Sequence, residues 1–170
     1  MDSARSRSRR ALLFGHAAPV PHVVVLRPPW AKSEADFAAA CTRCDACVRA
    51  CPPQVLVRDA DGVPRFDAQT GECTFCGDCV AACGSDAFLP TLDPPWTLSA
   101  HVANTCLSAH SVVCASCRDA CPASAIRVPP AARGAAVVDA DACTGCGACV
   151  GTCPVDALSL HHAPAMEAIA

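Results

Sequence analysis

Three stretches of this chain space four cysteines identically: Cys41, Cys44, Cys47 and Cys51 in CTRCDACVRACP, Cys73, Cys76, Cys79 and Cys83 in CTFCGDCVAACG, and Cys143, Cys146, Cys149 and Cys153 in CTGCGACVGTCP. Each reads C-x2-C-x2-C-x3-C, the spacing of a thiolate run that holds a [4Fe–4S] cluster. A structural zinc site takes two separated ligand pairs instead of four ligands packed into so short a run. Small residues such as Gly77, Gly145 and Gly147 permit tight turns and a close approach of backbone to sulfur. Backbone N–H groups in such loops donate to the sulfurs and raise the reduction potential. The fourth cysteine of a run is expected to lead into a short helix and, where two runs pair, to ligate the other run's cluster. Gly84 stands where Pro52, Pro122 and Pro154 follow the last cysteine elsewhere. A looser turn after Cys83, and a more labile second cluster, are expected from it.

A fourth group is irregular. Residues 106–121 read CLSAHSVVCASCRDAC, with seven residues between Cys106 and Cys114 before Cys117 and Cys121 follow at the usual spacing. The registers explain it. Cys44, Cys47 and Cys51 recur 32 residues later as Cys76, Cys79 and Cys83, and Cys114, Cys117 and Cys121 recur 32 residues later as Cys146, Cys149 and Cys153. The lead-in Leu26-Arg27-Pro28-Pro29-Trp30 returns as Leu92-Asp93-Pro94-Pro95-Trp96. The chain therefore duplicates a two-run unit. Counted from the tryptophan, Cys106 keeps the place of the first ligand, and extra residues open the loop before Cys114. Four surviving thiols predict a fourth cluster in a longer loop. The alternative is an empty thiol group, or zinc with His110 as a further ligand.

Sixteen cysteines among 170 residues suit either a disulfide scaffold or metal ligation. With two Trp, five Phe and no Tyr, an ordinary packed core is thin, so something else must hold the chain compact. Residues 1–32 carry Arg5, Arg7, Arg9, Arg10, Arg27 and Lys32 against Asp2, a balance of +5, whereas the remaining 138 residues carry seven Arg against fifteen acids, −8. An acidic body argues against nucleic acid, whose phosphates need clustered Lys and Arg. No apolar run approaches the roughly 18 residues of a membrane span, so no membrane insertion is expected. Ser8-Arg9-Arg10-Ala11-Leu12-Leu13 resembles a twin-arginine export signal, but Pro19, Pro21, His16 and His22 break the apolar stretch such a signal needs. A basic arm on a cytoplasmic protein is the expectation. Disulfides rarely persist there, which favours metal.

The secondary structure reads coarsely. Val55-Leu56-Val57 and Val63-Pro64-Arg65-Phe66 flank Asp59-Ala60-Asp61-Gly62, a hairpin signal, and Ile126-Arg127-Val128 with Ala136-Val137-Val138 takes the same place in the second half. The predicted fold class is α+β: tandem bacterial-ferredoxin-like modules of short hairpins and short helices around paired [4Fe–4S] clusters. The expected division is a basic arm at 1–33, a first two-cluster module at 34–92, a second at 93–162 and a tail at 163–170. Trp30 and Trp96 are expected to cover cluster edges, to pack the halves, or simply to fill core. His161-His162 reads as solvated tail in preference to a metal site. No phosphate loop or nucleophile–base pair is visible, so no catalytic residue and no turnover are expected.

The marks together resemble one family: the Ser8-Arg9-Arg10 start, Arg27-Pro28-Pro29-Trp30, Cys41-Thr42-Arg43-Cys44-Asp45-Ala46-Cys47, Gly71-Glu72-Cys73-Thr74-Phe75-Cys76, Cys106-Leu107 with Ser111-Val112-Val113-Cys114, and Cys143-Thr144-Gly145-Cys146-Gly147-Ala148-Cys149. That set is similar to the ferredoxin-type NapF family. The resemblance implies a cytoplasmic iron–sulfur accessory protein of the periplasmic nitrate reductase system. Its implied partner is the catalytic molybdenum subunit, met as a precursor before export and served in maturation by electron transfer. The twelve cysteines of the regular runs carry over as ligands, and the irregular run carries over less directly. A general soluble ferredoxin without a maturation role is the alternative, and a zinc-storage protein a further one.

Overall fold

The computed structural model describes residues 25–162. The basic segment 1–24 and the tail 163–170 therefore lie outside the described residues. Among those described, no helix is long and apolar enough to cross a membrane.

Helix α1 spans Glu34–Ala40. Ser33 caps it, its hydroxyl accepting from the Asp36 amide at 3.3 Å, and Glu34 and Asp36 place negative charge in the first turn, where the helix dipole favours it. Helix α2 is Ala46–Ala50, α3 is Asp78–Ala81 and α4 is Ser116–Asp119, with a 3₁₀ turn at Leu107–His110. Strands β1 (Leu56–Arg58) and β2 (Pro64–Phe66) form one antiparallel hairpin, with Leu56 opposite Phe66. Strands β4 (Ile126–Arg127) and β5 (Val137–Val138) form its counterpart. Strands β3 (Leu98–Val102) and β6 (Leu158–His162) pair antiparallel, Leu98 opposite His162. In the first half the equivalent pairing has shrunk to one bridge, Ala31 with Phe88. The duplicated register of the cysteines is thus matched by duplicated pairing: a central hairpin, and a lead-in joined to the segment after the last cysteine. The whole is a small mixed helix–strand structure.

The helices differ from expectation in position. They precede the fourth cysteine instead of following it: α2 contains Cys47 and ends with Cys51 as its C-cap, in extended geometry. A proline ring disfavours helical geometry in the residue before it, so Pro52 and Pro122 fix the end at the cysteine. His161 and His162 belong to β6 and not to a tail. His161 meets Ser159 Oγ at 2.9 Å and lies edge-on to His101, while His162 Nδ1 meets Thr97 Oγ1 at 3.2 Å.

The core is thin. Val55, Leu56, Phe66, Leu98, Ile126, Leu158 and Leu160 are buried in one cluster, and Cys47, Cys79, Cys117 and Cys149 are buried among them. A satellite of Phe37, Val63 and Ala87 lies beneath α1. The two tryptophans tie the halves reciprocally. Trp30 donates its ring N–H to Asp93 O at 2.7 Å and its peptide N–H to Pro95 O. Trp96 lies 5.1 Å from the Phe66 ring and 5.5 Å from Phe75, and its ring N–H reaches Thr144 O at 3.0 Å. Both sequence options of packing the halves and filling core are realised in the same residues. Lead-in residues of the expected arm are also part of this framework, since Leu26 O accepts the Phe66 amide and Arg27 bridges Glu34 and Asp59.

Candidate metal centres

The regular runs share one backbone device. The residue two after the first cysteine and the residue just after the second both take left-handed φ: Arg43 and Asp45, Phe75 and Gly77, Gly145 and Gly147. These two reversals coil the loop tightly, and in the second run Cys73, Cys76 and Cys79 line one cavity. At Gly145 the requirement is absolute, because a Cβ there would sit 2.5 Å from Leu98 O and 2.9 Å from Trp96 Nε1. The irregular run solves the problem otherwise. Its 3₁₀ turn follows Cys106, and Ser111 supplies the left-handed residue that closes it.

The fourth cysteines cross over. Cys51 lines a cavity with Cys73, Cys76 and Cys79, walled by Val55, Leu56 and Phe75. Cys153 lines another with Cys106, Cys114 and Cys117, walled by Val102 and Leu158. Cys83 packs with Cys41 on the Phe37 satellite, and the charges of both bear on Cys47. Cys121 bears on Cys149, together with Cys143 and Cys146. Fifteen of the predicted cysteines fall into four crossed groups, the irregular run included. Cys44 is exposed, and its place in the sequence between Cys41 and Cys47 makes it the remaining member of the first quartet. Gly84 consequently bears on the first quartet and not the second, because the Cys83 thiol lies there.

In every run the third cysteine is the most deeply buried: Cys47, Cys79, Cys117 and Cys149. Burial pushes the Cys47 thiol up to about 11, and Cys79 and Cys149 up to about 12, with neighbouring thiols adding to the rise. Burial pushes Cys73 to about 11 as well. Cys117 is raised for the same reason. Two thiols move the other way. Cys44 is lowered by the Thr42 hydroxyl and then by the Ala46 amide. At Cys106 burial acts upward, but the amides of Ala136, Ser108 and Ala109 outweigh it. Other amides aim at sulfur: Ala125 at Cys121 (3.3 Å), Ala157 at Cys153 (3.2 Å), Arg43 at Cys41 (3.4 Å), Phe75 at Cys73 and Ala100 at Cys143 (both 3.5 Å).

These quartets fit a cubane cluster better than a single ion. Zinc draws its sulfurs to about 2.3 Å from one centre, whereas the thiols here line cavities walled by apolar side chains, Val55, Leu56 and Phe75 in one and Val102 and Leu158 in the other. A cluster takes one thiolate per iron and spreads them. His110, the candidate extra zinc ligand, is exposed and its Nε2 meets Asn104 O at 2.8 Å. Hydroxyls near sulfur were not singled out in the sequence: Ser85 Oγ lies 3.4 Å from Cys83 Sγ and Ser116 Oγ 3.9 Å from Cys114 Sγ. The signal was a Ser or Thr within two residues of a ligand cysteine.

Hairpins wrapped around crossed thiol quartets define a chain of the 4Fe-4S ferredoxin class. Residues 40–88 match the family described as "4Fe-4S dicluster domain", and residues 136–159 the one described as "4Fe-4S binding domain". The ferredoxin-type protein NapF of Escherichia coli K12 is 37% identical over 157 residues, covering 91% of this chain and 94% of that protein. NapF of Haemophilus influenzae is 43% identical over 140 residues, covering 81% and 80%. The methylamine utilization ferredoxin-type protein MauM of Methylobacillus flagellatus is 35% identical over 176 residues, covering 89% and 75%. This chain belongs to the ferredoxin-type NapF family. The irregular run lies between the two matched segments, outside both.

Proposed function

We propose that the sixteen thiolates hold four [4Fe–4S] clusters in two modules, 34–92 and 93–162, flanked by the arm 1–33 and the tail 163–170, and that the protein transfers electrons without turning over a substrate. The observation that carries this reading is the crossed quartet, found in the irregular run as in the regular ones. Bound clusters supply one-electron redox chemistry. The chain's own residues supply the rest. Buried thiolates fix position, amides aimed at sulfur stabilise negative charge there, and Val55, Leu56, Phe75 and Val102 keep water from the sulfur.

In the cell we place it in the cytoplasm, as an accessory factor for the catalytic molybdenum subunit of periplasmic nitrate reductase, acting on the precursor before export. Family membership supports this. The general electron carrier is a second reading, favoured by the MauM relative, whose name attaches the same kind of chain to methylamine utilization. Anaerobic iron and sulfide analysis separates four clusters from three, and a colourless, iron-free product ends the reading. For the partner, the precursor should be captured by the loaded full chain, and deletion of 1–24 should weaken capture while leaving iron content unchanged. Failure of the loaded protein to bind precursor would select the general carrier.

A further inference from the structure

The four quartets are not arranged in chain order. Within the first half, the first and second are neighbours, since α2 packs on α3 and the Cys47 thiol bears on Cys79. Between the halves, the second and fourth runs meet directly. The Cys73 amide donates to Cys146 O at 2.8 Å. The sulfurs of these two residues are joined by covalent bonds and a single hydrogen bond. The fourth run is shaped for that contact. A Cβ on Gly147 would lie 2.9 Å from Ala68 Cβ and from Phe66 Cζ, both in the first half. A Cβ on Gly151 would lie 2.8 Å from Gln69 O. Gly151 does not take left-handed φ, so its backbone would accept any residue and only the closeness of Gln69 demands glycine. The matching positions in the other runs, Arg49, Ala81 and Asp119, carry side chains.

We propose that the four sites form one unbranched relay in the order first, second, fourth, third run, and that Gly147 and Gly151 are positioning residues for its central step between Cys73 and Cys146. This rests on the four-cluster reading above. The step moves one electron: one site is oxidised as its neighbour is reduced, with no bond made and no proton moved. The ends of the relay are then the first run and the irregular third. A one-electron donor and a one-electron acceptor engage at opposite ends.

The test uses the full chain, loaded anaerobically. Replacing Cys41 and Cys44, and Cys106 and Cys114, by Ala removes two ligands from each end site, and iron should fall to about half of the parent's. Electron paramagnetic resonance of the dithionite-reduced variant should still show two interacting spins. Adding Gly151→Ala should weaken the interaction with iron unchanged, whereas Gly84→Ala, whose Cβ meets nothing within 4 Å, should not. Half the iron with non-interacting spins overturns the relay order. A parent without iron overturns the four-cluster reading instead. Should the end-site variant keep too little iron, or resist reduction, hydrogen exchange on the otherwise intact loaded protein decides. Gly151→Ala should speed exchange of the Cys73 amide at least tenfold at equal iron content, and an unchanged rate overturns the positioning role.

Discussion

Arg27 shows how much one residue of the lead-in does. Its guanidinium donates to Glu34 Oε2 at 2.7 Å, to Asp59 Oδ2 at 2.8 Å and to Pro64 O at 3.0 Å, and it lies over the Phe37 ring. It thereby joins α1 to the β1–β2 hairpin. Arg27→Ala should cost about 2 kcal/mol, the order of a charged hydrogen-bond set, read as a lower Tm of the loaded protein. Arg27→Lys should recover less than half, because an ammonium cannot replace the fork. The Arg27 hydrogen bond lowers Glu34; at Asp59 burial pushes upward, and Arg27 together with the amides of Val63 and Asp61 outweighs it. A lowered folded pKa means stability present above the unfolded carboxylate value, near 4, and lost as pH falls through the folded one. The Tm gap between parent and Arg27→Ala should therefore narrow below about pH 4; an equal gap at pH 3 and pH 7 would refute the pairing. The cysteines were legible because their spacing repeats. Arg27 was legible only as part of a motif, since its partners Asp59 and Pro64 stand 32 and 37 residues away. The crossing also makes a residue-level prediction. In Cys83→Ser, alkylation mapped by mass spectrometry should newly label Cys41, Cys44 and Cys47, while Cys73, Cys76 and Cys79 stay protected; the reverse pattern would show uncrossed ligation.

At the scale of elements, the two hairpins could be read because Asp-Gly and short apolar runs are local signals. Strand β3 is legible in the same way, from Leu98, Ala100 and Val102 alternating with Ser99 and His101, although Pro94 and Pro95 just before it read as loop. Helix α1 carried its own signature in Ser33 with Asp36 three residues on. Ser33→Ala should lower stability by about 1 kcal/mol, measurable as a small fall in Tm with iron content unchanged. What no local signal encoded was the pairing of β3 with β6, closed across 56 or more residues, or the bringing together of the second and fourth runs. Those depend on tryptophan and phenylalanine contacts between halves, which periodicity cannot reveal.

For the molecule as a whole, cysteines occupy core positions that a larger domain would give to leucine or valine. Removing iron should leave a chain with a broad, weakly cooperative thermal transition, and a sharp one in verified iron-free protein would show that the apolar core suffices. The thiols raised to about 11 and 12 add a pH dependence. In the metal-free chain their raised values favour the fold below about pH 8.5, the ordinary thiol range, and that contribution disappears as pH climbs through 11 to 12. Loading runs the other way. Each ligand gives up its proton on binding, so reconstitution should release protons and go further at pH 9 than at pH 7, followed by iron retained after desalting.

The reciprocal tryptophans have an optical consequence. The chain holds two Trp and no Tyr, so its intrinsic fluorescence arises wholly from Trp30 and Trp96, both planted where one half meets the other. Emission that brightens and shifts to longer wavelength on gentle warming would report the halves coming apart, without any added dye, and before the strands themselves melt.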